Sequence, residues 1–222
     1  MKILLQILLW GVIAVLSYLL FDAVYGEVKF NEVKTERYKA AIAKLRDVRV
    51  SQLAHKQVTG TYADNFDDLV SFIDTAEFTI TQRKDSTILD KEQTRLYGVD
   101  TYTEIVVVDT LGFESVKDSL FGDTGRYKTM MNIPIEGLKE KGISDKFELK
   151  AGEIEKSNSM IPVFEVRVSK DVLLYDQKRD YVIKEKQIIS IDEVNGEYLV
   201  VGAMDQVKSS GNWPKSYGAN DQ

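Results

Sequence analysis

The sequence predicts an α+β protein: an N-terminal helix apolar enough to cross a bilayer, its continuation as a long amphipathic helix, then a mainly antiparallel β-sheet domain. Three observations carry this. Residues 3–21 contain no charge. From Asp22 to Val58 there is no Pro and only Gly26, with apolar residues at helical spacing. Beyond residue 76 the pattern changes to short segments rich in Val, Ile, Tyr and Phe with alternating polarity.

The first segment, Ile3 to Phe21, lies between Lys2 and Asp22 and is interrupted only by Gln6, Gly11 and Ser17. At 1.5 Å per residue it covers about 28 Å, close to a hydrocarbon core of about 30 Å. Trp10 sits near its middle, and Tyr18 and Tyr25 stand near the far boundary, where aromatic belts form. Gly11, Ala14 and Ser17 make a small-residue track along which another helix could approach closely. A cleaved signal peptide is the competing reading, but its apolar core would be shorter, and Val24-Tyr25-Gly26 is a poor cleavage site. The expected location is therefore the inner membrane, crossed once, with the lipid bilayer as a partner.

The orientation signals conflict. Lys29, Lys34, Arg37 and Lys39 follow the segment and Lys2 precedes it, a count that favours a cytoplasmic body. The short leading flank, the single Lys within ten residues of the span and the absence of Cys favour an extracytoplasmic, periplasmic body, and that is the expectation adopted.

Within 22–58, residues 22–37 are polar enough to predict a free-standing stalk. Tyr38, Ile42, Leu45, Val48 and Leu53 form an apolar stripe, either the core of the chain's own domain or a seam for a partner subunit. Gly60 ends the helix. Asp64 or Asn65 caps a second helix over Phe66–Asp74, whose Asn65 and Asp68 stand at capping-box spacing.

Strands are predicted at Glu77–Arg83, Thr103–Asp109, Lys146–Leu149, Ile161–Ser169, Tyr181–Ile183, Gln187–Ile191 and Tyr198–Val201. A short helix is predicted at Glu114–Phe121 and a hairpin turn at Asn195-Gly196. The divisions are thus 1–21 (anchor), 22–58 (stem and packing helix), 59–208 (α+β domain) and 209–222 (polar tail). In that tail Trp213 is either docked on the body or an anchor for a partner.

Composition narrows the chemistry. With no Cys and one His among 222 residues, thiolate sites and two-His metal motifs are excluded. The body carries 35 acidic and, without Lys2, 28 basic side chains, a net of −7 that opposes nucleic-acid binding. His55, the one imidazole, is expected on an exposed helix face. Asp64, Asp67 and Asp68 lack the Gly and Glu of a calcium loop, whose places hold Leu69 and Thr75. Gly137–Gly142 is followed by Ile143 and makes no phosphate loop. No catalytic residue, cofactor, metal or specific small molecule is predicted.

The run Lys44-Leu45-Arg46, Gln52, Gly60-Thr61-Tyr62-Ala63-Asp64, Phe66 and Leu69, after an apolar N-terminal helix, resembles type IV pilins and type II secretion pseudopilins over residues 1–75. That family's leader ends in Gly, with Glu five residues into the mature helix; Met1–Leu20 holds no such pair. Lys44–Ile73 with Gly211-Asn212-Trp213 is also similar to uncharacterised single-span proteins of Bacteroidetes-type bacteria, and the layout is similar to bitopic assembly-platform proteins. The resemblance implies location and architecture; the expected function is a non-enzymatic structural or assembly subunit in a larger envelope complex (secretion, pilus-like or motility machinery), with other membrane or envelope proteins as partners. The alternatives are a tethered ligand-sensing module and a hydrolase using carboxylates alone.

Overall fold

The computed structural model describes residues 2–218. Its spine is one unbroken helix, α1 (Lys2–Thr59). Nothing in the sequence breaks it before Gly60, whose φ of +87° suits the residue beyond a helix end and whose N–H returns to the Lys56 carbonyl at 2.9 Å. After it come α2 (Phe66–Thr75), β1 (Glu77–Leu89), α3 (Lys91–Tyr97), β2 (Tyr102–Ser115) and α4 (Val116–Phe121). The second half holds β3 (Glu148–Lys156), β4 (Ser159–Ser169), α5 (Lys170–Leu173), α6 (Arg179–Gln187) and β5 (Tyr198–Gly202). The architecture is α+β with antiparallel sheets, as predicted.

Two separate sheets form. One is the three-stranded sheet β3-β4-β5, with Glu148 opposite Arg167 and Glu165 opposite Gly202. The other is the two-stranded ribbon β1-β2, in register from Glu77/Ser115 to Leu89/Tyr102 with a bulge between Ile80 and Thr81. In the first sheet Phe164, Val166 and Val168 turn their side chains onto the core. Pro162 lies opposite Glu153 where β4 pairs with β3 alone, short of the Glu165–Ser169 stretch that β5 joins.

The core is built around the second half of α1. Tyr38, Ile42, Leu45 and Val48 are buried against α2, the sheet and the C-terminal segment. Each such side chain contributes about 1.5–3 kcal/mol by leaving water. The α2 cap is as predicted: Asn65 Oδ1 accepts from the Asp68 N–H at 2.8 Å, and Asn65 Nδ2 donates to Asp68 Oδ2 at 2.7 Å.

Four expectations are corrected. Residues 22–37 are not a free stalk: Phe30 and Lys34 are buried, and the Phe30 ring lies 5.2 Å from that of Tyr181. Tyr181–Ile183 and Gln187–Ile191 are not strands. The first lies in α6, where Val182 and Glu185, three residues apart, turn inward, and helix packing overrides the β-preference of Tyr-Val-Ile. The second is the end of α6 and a loop, so Asn195-Gly196 turns into β5 without closing a hairpin.

The third correction concerns the stretch from Ser209 to Gly218, which is no loose tail. Gly211 bridges Val201, the Asn212 N–H donates to the Val200 carbonyl at 3.0 Å, and Asn212 Oδ1 accepts from the Val200 N–H at 2.9 Å. These residues extend the edge of β5. Residues 219–222 of the predicted tail lie outside the described residues. Last, the ribbon strands are longer than predicted, and α3, missed by the sequence reading, caps their far end.

Candidate interaction surfaces and the buried ion cluster

The apolar third of α1 packs against none of the described body. Its most apolar 18-residue window has a mean hydropathy of 2.2 and is wholly unburied. Ile3, Trp10, Gly11, Ala14, Ser17 and Phe21 are all exposed, Trp10 at 72%. Nothing lies within 4 Å of a side chain built at Gly11. The Phe21 and Tyr25 rings stack at 5.4 Å one turn apart. This helix is long and apolar enough to span a membrane.

The residues read as either core or partner seam divide. Tyr38, Ile42, Leu45 and Val48 are at most 1% exposed, in the chain's own core, so a partner would have to displace the sheet to reach them. Leu53 alone of the stripe stays open, at 38%. Trp213 is docked: it is 3% exposed and covers Gly211, where a Cβ would lie 2.4 Å from the indole. Gly211-Asn212-Trp213 is therefore a structural clasp.

His55 is half-buried, not exposed as predicted. Its ring meets Phe72 edge-on at 4.7 Å, and Nδ1 lies 2.7 Å from the Thr61 carbonyl. A carbonyl only accepts, so Nδ1 carries the proton. The imidazole braces the end of α1, and among the described residues no carboxylate reaches it. Beside it Gln52, fully buried, donates Nε2 to the Ala63 carbonyl at 2.8 Å and accepts the Ala63 N–H at 2.9 Å.

The sequence reading missed a buried ion cluster. Glu185 of α6, 2% exposed, accepts from Lys34 of α1 through Oε2 at 3.1 Å and from Lys170 of α5 through Oε1 at 3.1 Å. Lys170 also donates to the carbonyls of Glu185 and Val194 at 2.8 and 2.7 Å. Glu193 takes a second bond from Lys34 at 3.2 Å, and the Tyr38 hydroxyl reaches Glu185 at 3.3 Å. Two positive and two negative groups thus meet, each hydrogen-bonded. Burial opposes the Lys34 charge, but Glu185 and Glu193 outweigh it and raise its pKa. At Lys170 burial prevails and the pKa falls. Burial and Glu185 together push the Tyr38 hydroxyl up. No spacing marks these four residues in the sequence; the only signal is that Glu185 falls on the inward face of a helix read as a strand.

Arg37 adds a second clamp nearby. Its two terminal nitrogens bond Asp176 Oδ1 and Oδ2 at 2.6 and 2.8 Å, and Nη1 also reaches the Leu173 carbonyl at 2.8 Å. The hydrogen bond from Arg37 holds the Asp176 carboxyl down at about 2.

The ribbon is the other open surface. Neither strand contains a buried residue, and Val106, Val108, Leu111 and Phe113 are all more than half exposed. Among the described residues no group of three or more His, Asp or Glu is placed to hold a metal. Comparison of the chain with family models, curated proteins and solved structures finds no match.

Proposed function

We propose that this chain is a single-span, membrane-anchored, non-enzymatic structural subunit that holds an α+β domain on the extracytoplasmic side of an inner membrane within a larger envelope assembly. The observation that carries the reading is the division of α1. Its first third exposes every described apolar side chain, while its last third is the central core element of the domain. A helix exposed and apolar on all sides is stable in lipid and costly in water.

Continuity supports a structural role. Gly26 already lies against the domain: a Cβ there would lie 2.8 Å from the Tyr181 hydroxyl, five residues or about 7.5 Å of helix beyond Phe21. The apolar segment and the domain therefore share one unbroken helix. A sheet wrapped on the C-terminal half of a long helix, reached through a Gly-Thr-Tyr turn, is also the layout of the pilin-like reading. The use of His55 as a helix brace and the closed ion cluster favour scaffold over catalyst.

The test is fractionation with alkaline carbonate, followed by protease treatment of intact spheroplasts. The expected result is a full-length chain that stays with the membrane pellet and whose body is digested from outside. A body protected in spheroplasts overturns the orientation. Mature protein that begins near Glu27 and is recovered free of lipid overturns the anchor.

A further inference from the structure

One end of α6 lies close to the end of the apolar segment. Tyr181 meets Gly26 through its hydroxyl and Phe30 through its ring. One turn further on, Glu185 meets Lys34 and Tyr38. The helix α6 therefore runs alongside α1 in the same direction, and its starting corner, Lys178-Arg179, faces back toward Phe21. A headgroup layer is about 5–7 Å thick on each side of the hydrocarbon. With residues 3–21 across a bilayer, the Tyr181 hydroxyl, level with Gly26, stands at the outer edge of that layer. The corner, three residues or about 4.5 Å earlier in α6, reaches into it. Tyr25, exposed beside Gly26, shares this level, as a side chain of an interfacial aromatic belt does.

The side chains at the corner are mainly cationic. Lys178 and Lys184 hold their ammonium groups 6.0 Å from the centre of the Tyr181 ring, and Arg179 is exposed in the first turn of α6. Among the described residues Arg179 and Lys184 have no ion pair. With α1 counted at the same level, Lys29, Lys178, Arg179 and Lys184 stand against Asp22, Glu27 and Asp180. Cations thus lead at this end of a body in which, with Lys2 set aside, acids outnumber bases 35 to 28.

We infer that Lys178, Arg179 and Lys184 bind the phosphates of anionic lipid headgroups, so that the body is seated on the bilayer surface. This contact rests on the same reading of residues 3–21 as a span, and is independent of which side of the membrane the body occupies. Ammonium and guanidinium groups donate charge-assisted hydrogen bonds to phosphate oxygens. The potential of an anionic leaflet extends over about a Debye length, roughly 8–10 Å, which covers the level of the Tyr181 ring.

Trp10, in the middle of the apolar segment, reads the lipid around the helix, and Trp213, buried in the body, adds a constant background. The full chain is reconstituted in vesicles of mixed phosphatidylcholine and phosphatidylglycerol, with brominated acyl chains on one lipid or the other to quench Trp10. Brominated phosphatidylglycerol is expected to quench about twofold more than its share of the mixture predicts. Arg179→Gln with Lys184→Gln, both exposed positions, is expected to remove at least half of that excess. So is salt near 1 M with the unmodified chain, where the Debye length falls to about 3 Å. Lys56→Gln with Lys208→Gln makes the same change of charge beside Leu53, about 40 Å of helix beyond Gly26, and is expected to keep the excess. No excess, an excess that the Arg179 and Lys184 variant or salt leaves in place, or one that the Lys56 and Lys208 variant removes equally overturns the inference. Trp10 quenched by neither brominated lipid overturns the span itself.

Discussion

Lys34 and Glu185, separated by 151 residues of chain, meet at 3.1 Å inside the protein and tie the long helix to α6. Glu185 balances Lys170 as well, so the two lysines depend on it unequally with Glu193. Removing it strands buried positive charge. Glu185→Ala is expected to lower unfolding free energy by about 3–5 kcal/mol. Lys34→Met is expected to cost less, since Lys170 still neutralises Glu185. Denaturant melts followed by circular dichroism check the order; equal losses would refute it.

Gln52 and Ala63 make a second cross-brace, of neutral groups. Gln52→Leu keeps much of the volume but leaves the Ala63 N–H and C=O without their partner. The expected loss is about 2–3 kcal/mol, since each orphaned buried group costs about 1–3 kcal/mol. Gln52→Glu retains only an acceptor and is expected to recover part of the loss on acidification. The same melts at two pH values read this.

Trp213 is the third. If the end of the chain were a tail, removing residues 209–222 would change nothing. Because the indole is buried, Trp213→Ala is expected to cost about 3–5 kcal/mol. Gly211→Val is expected to destabilise as well, by driving a side chain into the ring. Thermal melts of the two variants and of the truncation provide the check.

Asp176 gives a pH signature. Its carboxyl is depressed in the folded state, so the stability it contributes is present above about 3.8 and is lost as pH falls through about 2. The carboxylate is 41% exposed, and solvent screening reduces the contribution to about 1 kcal/mol. Asp176→Asn is expected to flatten the stability profile between pH 4 and 2 while leaving stability above pH 5 lower by that amount. An unchanged acid limb would refute the assignment.

The elements legible in the sequence were those with a local cause. The apolar run, the Tyr38–Val48 stripe, Gly60 as a stop and the Asn65 cap all depend on residues within a few turns of each other. What stayed hidden depends on distant partners. Residues 22–37 read as a polar stalk because the groups that cover Phe30 and Lys34 arrive from residues 181–193. Tyr181–Ile183 reads as β because its helical face is defined by Glu185, a charged residue that periodicity arguments count as outward. Ser209–Gly218 reads as a tail because its ordering comes from distant partners: main-chain and Asn212 side-chain bonds to β5, the Arg46 bond to the Tyr217 carbonyl, and the docked indole.

The unbroken α1 has a mechanical corollary. A rod without a joint transmits rotation as well as position, so whatever grips its greasy end also sets the compass heading of the body. Inserting one residue between Phe21 and Gly26 would lift the body by about 1.5 Å and swing it by about 100°. A full turn's worth of added residues would return it to nearly its original bearing, one step higher.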